Sequence, residues 1–259
     1  MAKSKAGKKQ SGKNAVRGTP NRQFVAAIVV VALLGVGGLG YALSHRGPSV
    51  IVVDPNIPAG APQGHLMGKA DAPVQVIEFG DFECPACGNF ATITEPDVRT
   101  RLINTGIVAF HYYDFPLSQH RNSFTAHLAA ACAADQGKFW EMHDRLYAGQ
   151  DEWSDLIDPG MTDPMSVFRR YAKELGLDVK TWENCVTSQK YTAQIKGNQA
   201  EGMRRNVQQT PTIIIGDQQV NGVSYDQFKQ LVDEALAKSG KAKADSGRKS
   251  AGGKKGAAQ

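Results

Sequence analysis

The segment DFECPACGNF, residues 81–90, places Cys84 and Cys87 three positions apart directly after a short apolar run. A Cys-x-x-Cys pair can be half of a zinc site, a small structural bridge or a redox centre that cycles between dithiol and disulfide. Pro85 is typical of the first turn of a helix. Cys84 is therefore expected at a helix N-terminus, where unpaired backbone N–H groups and the helix dipole stabilise a thiolate. Cys87 lies one turn later on the same side, so the spacing favours a reactive pair over an inert one.

The basic residues of the chain are concentrated at its two ends. The 259 residues carry a formal net charge of +5. Residues 1–23 hold seven Lys and Arg and no acid, and residues 238–259 hold seven Lys and Arg and one acid. The 214 residues between these ends therefore carry a net charge of −8. An acidic folded region argues against a nucleic-acid-binding protein.

Residues 24–43, FVAAIVVVALLGVGGLGYAL, form a run of 20 uncharged and mostly apolar residues. As a helix, such a run is long enough to cross the ~30 Å hydrocarbon layer of a bilayer. The basic residues before it are expected to stay in the cytoplasm, which places the rest of the chain outside. A cleaved signal peptide is the alternative, although signal h-regions are typically ~7–15 residues long. In both cases the cysteines face an oxidising compartment, where disulfides persist.

Composition divides the chain into five segments. In order, they are a basic cytoplasmic head (1–23), a single transmembrane anchor in the cell membrane (24–43), a linker rich in Pro and Gly (44–67), a folded domain (68–238) and a basic tail (239–259). The tail has almost no large apolar side chain and is expected to be disordered. The linker is too short to supply a dimerisation domain, so we expect a monomer.

The folded domain alternates between strand and helix signals. The sequence predicts, in order, a buried strand at residues 74–79, a helix from Cys84 to about residue 104 with a kink at Pro96, a strand at 106–116, a helical block at 118–206, a hairpin at 210–222 and a closing amphipathic helix at 224–238. Proline kinks a helix because it lacks the N–H that the helix needs. The first strand is too continuously apolar to lie at a sheet edge.

Three separated motifs carry a resemblance to a known family. The segment DAPVQVIEFGDFECPAC resembles the active-site opening of the DsbA family of thioredoxin-fold thiol–disulfide oxidoreductases. QGKFWEMHDRLY, residues 136–147, is similar to part of that family's helical insert, and TPTIII, residues 210–215, to its cis-proline loop. The resemblance spans about residues 68–238 and is strongest to membrane-anchored, four-cysteine members. It implies an α/β thioredoxin fold with a helical insert.

The resemblance also implies roles for individual residues. Cys84 would be the nucleophile and Cys87 the buried resolving thiol. Pro211 would be a cis-proline that faces the pair, and Thr210 before it would lend backbone groups to the substrate.

The resemblance further implies an enzyme that introduces disulfides into reduced exported proteins and needs neither a cofactor nor a metal. Reoxidation would need a quinone-linked membrane partner resembling DsbB or vitamin K epoxide reductase. Two alternatives remain open. One is a reductase or isomerase of the same fold, and the other is a non-catalytic binding module whose Cys84–Cys87 bridge is only structural.

Three carboxylates lie close to the cysteine pair in the sequence. Glu78 stands six residues before Cys84, where the fold's buried acid is expected. A buried carboxylate there would have a raised pKa and could relay a proton to or from Cys87, unless its side chain points outward and is only solvated. Asp81 and Glu83 are expected to be exposed.

Cys132 and Cys185 lie in different predicted helices, 53 positions apart. A structural disulfide that staples the helical insert is the main interpretation. Two free buried thiols and a four-cysteine zinc site are the alternatives, although zinc sites usually take paired ligands from both halves of the sequence. Trp140–Asp144, which contains a His next to an Asp, is assigned to helix packing.

Overall fold

The computed structural model divides the chain into two units, Met1–Gly47 and Pro48–Gln259. The residues that it describes are 26–35, 37, 53–157, 159–160 and 163–252. In the first unit, residues 26–35 form helix α1. None of the described helices combines the length and the apolar content that crossing a membrane requires. The basic head, and the predicted membrane segment apart from α1 and residue 37, lie outside the described residues.

The second unit is built on a five-stranded mixed sheet with the strand order β1-β3-β2-β4-β5. The strands are β1 (His65–Met67), β2 (Val74–Gly80), β3 (Val108–Asp114), β4 (Thr212–Ile215) and β5 (Gln218–Asn221). β2 and β3 are parallel, and the other neighbouring strands are antiparallel. The apolar run before the cysteine pair thus forms the central strand, as its composition predicts. Glu78 of β2 lies opposite Tyr112 of β3 and Ile213 of β4.

Helices surround this sheet in the order that the sequence predicts. They are α2 (Pro85–Asn89), α3 (Glu95–Val98), α4 (Ser123–Ala134), α5 (Phe139–Ala148), α6 (Gln150–Trp153), α7 (Pro164–Glu174), α8 (Val179–Thr187), α9 (Thr192–Arg204) and α10 (Tyr225–Gly252). Helices α4–α9 form the helical block between β3 and β4. The N-cap side chains Asp163 and Asp178 accept hydrogen bonds from Ser166 N and Thr181 N, which fixes the starts of α7 and α8.

The helix that follows the cysteine pair is interrupted by wider turns rather than by a simple kink. π-Helical turns at Phe90–Thr94 and Arg99–Ile103 flank α3, which has Pro96 in its first turn. Because proline has no N–H to donate and its ring clashes with the preceding turn, a π turn accommodates it without ending the helix.

The predicted linker differs from the structure, because its second half belongs to the folded unit. β1 lies inside the predicted linker and pairs with β3. Residues 54–63 run along α9, where Gly60 N donates to Ala193 O at 2.7 Å. A Cβ on Gly197 would meet the Gly60 carbonyl oxygen at 2.4 Å, so the two segments approach too closely for a side chain there. The α9 partners of residues 54–63 are more than 130 residues away in sequence. The local composition of the linker cannot reveal contacts of that range.

The predicted start of the disordered tail at residue 239 also differs from the structure. α10 continues to Gly252, 14 residues beyond Lys238. Ala and Lys are strong helix formers, so the helix can continue after its apolar face has ended. Residues 253–259 lie outside the described residues, and for them disorder stays a prediction.

Cys132 of α4 and Cys185 of α8 form a disulfide. Both cysteines are buried in the larger apolar core together with Cys84, Cys87 and Trp182. The indole N–H of Trp182 donates to Ala129 O at 2.9 Å beside the bridge. The disulfide thus ties two helices of the insert at a point that is already well packed.

Removing this bridge should lower stability without removing thiol exchange. Closing a loop of 53 residues contributes roughly 4 kcal/mol in the chain-entropy model. A variant with both Cys132 and Cys185 changed to Ser should therefore melt at a lower temperature, as measured by circular dichroism. Its exchange rate at low temperature should stay near the wild-type value. Peptide mapping that finds free thiols or pairing to Cys84 in the native protein would contradict the assignment.

Candidate active site

The two cysteines of the Cys-x-x-Cys segment differ sharply in exposure. Both are free thiols, with Cys84 7% exposed and Cys87 fully buried. Cys84 is the N-cap residue of α2 and Pro85 occupies the first turn. Cys84 N donates to Asp81 O at 3.0 Å, and Gln150 Nε2 donates to Cys84 O at 3.0 Å. The backbone on both sides of the reactive sulfur is therefore held in place.

The environment gives the two thiols opposite acidities. A hydrogen bond from the Cys87 thiol is the largest influence on Cys84. Together with backbone N–H groups of Ala86 and Cys87, it lowers the pKa of Cys84 to about 6 despite burial. Burial raises the pKa of Cys87 well above its ordinary value, and the neighbouring Cys84 and Glu78 raise it further. One sulfur can thus be a thiolate at neutral pH while the other stays protonated.

The loop before β4 faces the cysteine pair. The Thr210–Pro211 peptide bond is cis. The Cys84 thiol donates to the Thr210 carbonyl oxygen at 3.3 Å. Sequence reasoning predicted both the cis bond and its position opposite the cysteines, and the structure agrees. The Thr210 carbonyl stands where an extended segment bound at Cys84 would find a backbone partner.

Glu78 points into the protein interior. It is 1% exposed, and neither carboxylate oxygen has a hydrogen-bond partner among the described residues. Burial raises the pKa of Glu78 well above its ordinary value, and the nearby Glu95 and Cys84 raise it further. The alternative of a solvated, outward-facing side chain is therefore wrong. A carboxyl group held in this way keeps its proton to a higher pH than an exposed one does.

The expectation that Asp81 is exposed is wrong, because its carboxylate is fully buried and accepts four hydrogen bonds. Oδ1 accepts from Glu83 N at 2.8 Å and from Ser123 Oγ at 2.5 Å. Oδ2 accepts from Leu117 N at 2.8 Å and from His120 Nδ1 at 2.7 Å. A buried carboxylate is tolerated when donors saturate it in this way. Apart from Glu83, the donors lie 36–42 residues away in sequence, so no local signal could have revealed them.

Asp81 also reaches the resolving cysteine. Its backbone N–H donates to Cys87 Sγ at 3.5 Å. Burial would raise the pKa of Asp81, but the hydrogen bonds from His120 and Ser123 outweigh burial and lower it. Burial would lower the pKa of His120, but the hydrogen bond and charge of Asp81 raise it. The pair therefore favours its charged form and fixes the loop that precedes Cys84.

Glu83, next to the reactive cysteine, is buried as well, contrary to expectation. Its carboxylate accepts from Asn122 N at 2.6 Å and from Asp155 N at 2.9 Å. Burial raises the pKa of Glu83, and these two backbone hydrogen bonds oppose the rise. Glu83 thus ties the cysteine loop to the helical block at two points.

A groove of about 360 Å³ reaches Ala86, which lies between the two cysteines in the sequence. Its lining is mostly apolar and comes from α2, the π turn after it and the loop before α10: Ala86, Asn89, Phe90, Ile93, Thr94, Gly222, Val223 and Ser224. Ile93 is 72% exposed, which is unusual for a large apolar side chain. The groove offers apolar contacts to a segment that lies across the cysteine pair.

Among the described residues, one cluster has three possible metal-ligand atoms within 4.8 Å of one another, from Glu95, His143 and Asp144. Arg99 already binds there, with Nε 2.7 Å from Glu95 Oε1 and NH1 2.7 Å from Asp144 Oδ2. A guanidinium between the two carboxylates supplies the positive charge that a cation would bring and opposes its binding. The cluster fits an ion-pair network better than a metal site.

A reactive thiol at a helix N-terminus, a buried partner thiol and a facing cis-proline on a mixed sheet define the dithiol centre of a thioredoxin-fold protein. A family model described as thioredoxin matches residues 60–234. The chain therefore belongs to the thioredoxin family, and its fold is the one that the sequence predicted.

Known proteins of similar sequence and structure agree with this class. "Disulfide bond formation protein D" of Bacillus subtilis is 27% identical over 175 residues, which cover 66% of this chain and 76% of the relative. The crystal structure of oxidised BdbD from Bacillus subtilis is 26% identical, with a TM-score of 0.58, and the match covers 70% of this chain and 98% of that one. The thioredoxin-fold domain is accordingly a thiol–disulfide oxidoreductase, as the resemblance to the DsbA family implied.

Another relative is a larger protein of different description. "Na(+)/H(+) antiporter NhaA 3" of Salinispora tropica is 33% identical over 179 residues, which cover 68% of this chain. The chain spans about a quarter of the length of the first curated relatives that it matches. The match thus concerns a module shared between proteins of different overall build.

The difference between the two thiols is directly measurable. Alkylation by iodoacetamide, followed by mass spectrometry across the pH range, should modify Cys84 with a midpoint at about pH 6. Cys87 should stay unmodified in the folded protein, because burial raises its pKa and blocks access. Cys84→Ser is the matched control, in which Cys87 should remain unmodified. Equal alkylation of both thiols near the ordinary value of about 8.5 would contradict the assignment.

The Asp81–His120 pair should stabilise the fold only in a defined pH window. Because the pKa of His120 is raised, protonated His120 adds its full share to the free energy of unfolding below about pH 6.5. That share is lost as the pH rises through the raised pKa. Because the pKa of Asp81 is lowered, the Asp81 carboxylate adds its full share to the free energy of unfolding above about pH 3.9. That share is lost as the pH falls through the lowered pKa. His120→Gln should therefore cost about 1.5–3 kcal/mol near pH 5.5 and less near pH 8.5.

Urea unfolding at the two pH values measures this difference. His111→Gln is the control, since burial lowers the pKa of His111 and its protonation destabilises the fold. The cost of that substitution should not fall as pH rises. An equal cost of His120→Gln at both pH values would show that the pair is not charged in the native protein.

Proposed function

We propose that the protein is an extracytoplasmic oxidoreductase that introduces disulfides into exported proteins through its Cys-Pro-Ala-Cys centre. The observation that carries this proposal is the asymmetry of the two thiols. Cys84 has a pKa of about 6 and a route to solvent, and Cys87 is buried and protonated. Stabilising the reduced form of a dithiol in this way makes its disulfide more oxidising.

The proposed reaction begins with the oxidised protein, in which Cys84 and Cys87 are joined. A substrate thiolate attacks the Cys84 sulfur and forms a mixed disulfide, while Cys87 leaves and takes up a proton. A second substrate thiolate then attacks the substrate sulfur of the mixed disulfide. Cys84 leaves as a thiolate. The substrate loses two electrons and gains a disulfide, and the protein gains the two electrons as its dithiol.

Glu78 is the proposed source of the proton that Cys87 takes up. The raised pKa of Glu78 favours its protonated form, and burial keeps water from supplying a proton directly. In the reverse direction the Glu78 carboxylate accepts the Cys87 proton when Cys87 attacks a mixed disulfide. The Thr210 carbonyl and Pro211 are proposed to align the substrate backbone at Cys84.

The groove lined by Phe90, Ile93 and Val223 is the proposed docking surface for substrates. Unfolded exported chains expose apolar side chains, and a mostly apolar groove binds them without selecting one sequence. Its position next to Ala86 brings a bound chain to the reactive sulfur. Non-selective docking suits an enzyme that acts on many substrates.

The proposed location is the outer face of the cell membrane, with residues 24–43 as a single-pass anchor and the N-terminus in the cytoplasm. The length and apolar character of that run support the proposal. A monomeric catalytic domain tethered in this way could be reoxidised by a quinone-linked membrane partner resembling DsbB or vitamin K epoxide reductase. The tail after α10 has no proposed role.

A reductase or isomerase role is the second candidate. The observation that favours it is Ala86, which places no cationic side chain between the two cysteines to stabilise the Cys84 thiolate. The non-catalytic binding module is disfavoured, because an inert bridge needs no acidic thiol.

The proposal predicts stoichiometric disulfide donation. Oxidised protein mixed with a reduced, unfolded protein that contains several cysteines should consume two substrate thiols for each Cys84–Cys87 disulfide. The remaining thiols are counted with a chromogenic reagent. Incubated instead with the disulfide-bonded form of the same substrate, Cys87→Ser should accumulate mixed disulfides, because Cys84 opens a substrate disulfide and no resolving thiol remains. Cys84→Ser should accumulate none. If the wild-type protein consumes no substrate thiols, it does not donate disulfides, and the reductase becomes the better assignment.

A further inference from the structure

The reaction steps above leave two buried polar side chains of the core unused. Glu95 is fully buried, with Oε2 unpartnered among the described residues. His143 is also fully buried, and its Nε2 is likewise unpartnered. These two atoms lie 4.0 Å apart. Burying unpaired polar atoms is costly, so their persistence in one place points to a use beyond packing.

The other ends of these two side chains are held firmly. Arg99 Nε donates to Glu95 Oε1 at 2.7 Å, and Arg99 NH1 donates to Asp144 Oδ2 at 2.7 Å. His143 Nδ1 and Asp144 Oδ1 are hydrogen-bonded at 2.9 Å. Nδ1 therefore faces Asp144, and Nε2 faces Glu95. An imidazole in this position can take up a proton at one ring nitrogen and release one from the other.

The inner end of this cluster reaches the redox centre. After burial, the charge of Glu95 is the largest influence on the pKa of Glu78, and it raises that pKa. Glu78 in turn influences Cys87. Tyr112, which lies opposite Glu78 in the sheet, packs edge-on against His143 with ring centroids 5.1 Å apart. Glu78 and His143 thus share Tyr112 as a neighbour, and His143 faces Glu95.

The outer end of the cluster reaches solvent. Asp144 is 50% exposed and Arg99 is 24% exposed. Both line a groove of about 360 Å³ formed by α5 and the helix that contains Pro96. This groove has its own lining residues and is separate from the apolar groove at Ala86. A proton that enters at Asp144 therefore does not cross the surface that a substrate would cover.

We propose that Glu95 and His143, positioned by Arg99 and Asp144, form the solvent-side half of a proton path whose inner half is Glu78. The inference rests on the proposed function and deepens it. When Cys87 leaves as a thiolate, Glu78 gives it a proton and becomes a carboxylate. A proton from solvent then enters at Asp144 and binds His143 Nδ1, the imidazolium releases its Nε2 proton to the Glu95 carboxylate, and Glu95 passes that proton to Glu78. Resolution of a mixed disulfide by Cys87 moves the same proton outward.

The path keeps proton exchange open while a substrate is bound. A bound chain over Cys84 blocks the direct route from solvent to Cys87, and Cys87 is fully buried in any case. A second route through the groove at Asp144, which shares no lining residue with the groove at Ala86, leaves proton exchange open. Tyr112 and Tyr147, whose hydroxyls lie 3.0 Å apart, are the competing carriers, because Tyr147 also lines the groove at Asp144.

The test separates attack by Cys84 from resolution by Cys87. Reduced full-length protein is mixed with excess glutathione disulfide, quenched with acid and examined by mass spectrometry. Attack by Cys84 forms a mixed disulfide at a rate that rises with glutathione disulfide, and resolution by Cys87 follows at a rate independent of it. Glu95→Gln, which keeps the size of the side chain, should slow resolution about tenfold or more and leave the attack rate within about twofold.

Further variants keep the outcome decisive. Asp144→Asn, at the surface, should slow resolution less than Glu95→Gln and should not disturb folding. Glu78→Gln should slow resolution most. Glu141→Gln is the matched control, because Glu141 lies on the same helix as Asp144 but pairs only with Lys138 at the surface. The slowed variants should also show a larger solvent isotope effect on resolution, and a merely structural role would not produce that.

Each remaining result counts against the path. Wild-type resolution rates in both Glu95→Gln and Asp144→Asn would overturn it, and slowing in Tyr147→Phe instead would assign the path to the two hydroxyls. Equal slowing of attack and resolution in Glu95→Gln would mark a structural effect and also overturn it. A wild-type protein that forms no mixed disulfide at all would overturn the proposed function itself, which is a distinct result.

Discussion

A negative charge on the sulfur of Cys84 is the state on which the rest of this structure depends. The sulfur is nearly buried, so the charge survives only where the fold supplies hydrogen-bond donors, and these come from the Cys87 thiol and the first N–H groups of α2. The central strand β2 ends four residues before Cys84. The cis-proline loop before β4 contacts the Cys84 sulfur through the Thr210 carbonyl. Sheet, helix and loop thus converge on one atom.

The second requirement is a rigid loop between β2 and α2. Asp81 and Glu83 provide this rigidity, because each carboxylate is buried and saturated by donors from the helical block. The helical insert is therefore not an appendage: it supplies the partners that hold the cysteine loop. The disulfide between Cys132 and Cys185 ties two helices within that insert. Two further buried carboxyl groups, Glu78 on the sheet and Glu95 on the following helix, are the ones that we propose to transfer protons.

The parts of the structure that the sequence predicted are those with local signals. An apolar run marked β2, and a Cys-x-x-Cys segment with proline marked the start of α2. The missed parts depend on partners far away in sequence. The burial of Asp81 needs donors from His120 and Ser123, and β1 needs β3, and neither is visible in a short window. Glu95 and His143 each look like ordinary helical residues, and only the fold brings them to 4.0 Å.

The central claim is that the fold stabilises the reduced centre through the Cys84 thiolate, and the reduction potential of the Cys84–Cys87 pair tests it most directly. Equilibration of the full-length protein in glutathione redox buffers, with the oxidised and reduced forms separated after acid quenching, gives this value. The account predicts a potential of about −120 to −220 mV, between those of DsbA and thioredoxin. A potential at or below about −270 mV would contradict it, because the disulfide would then be favoured over the thiolate form.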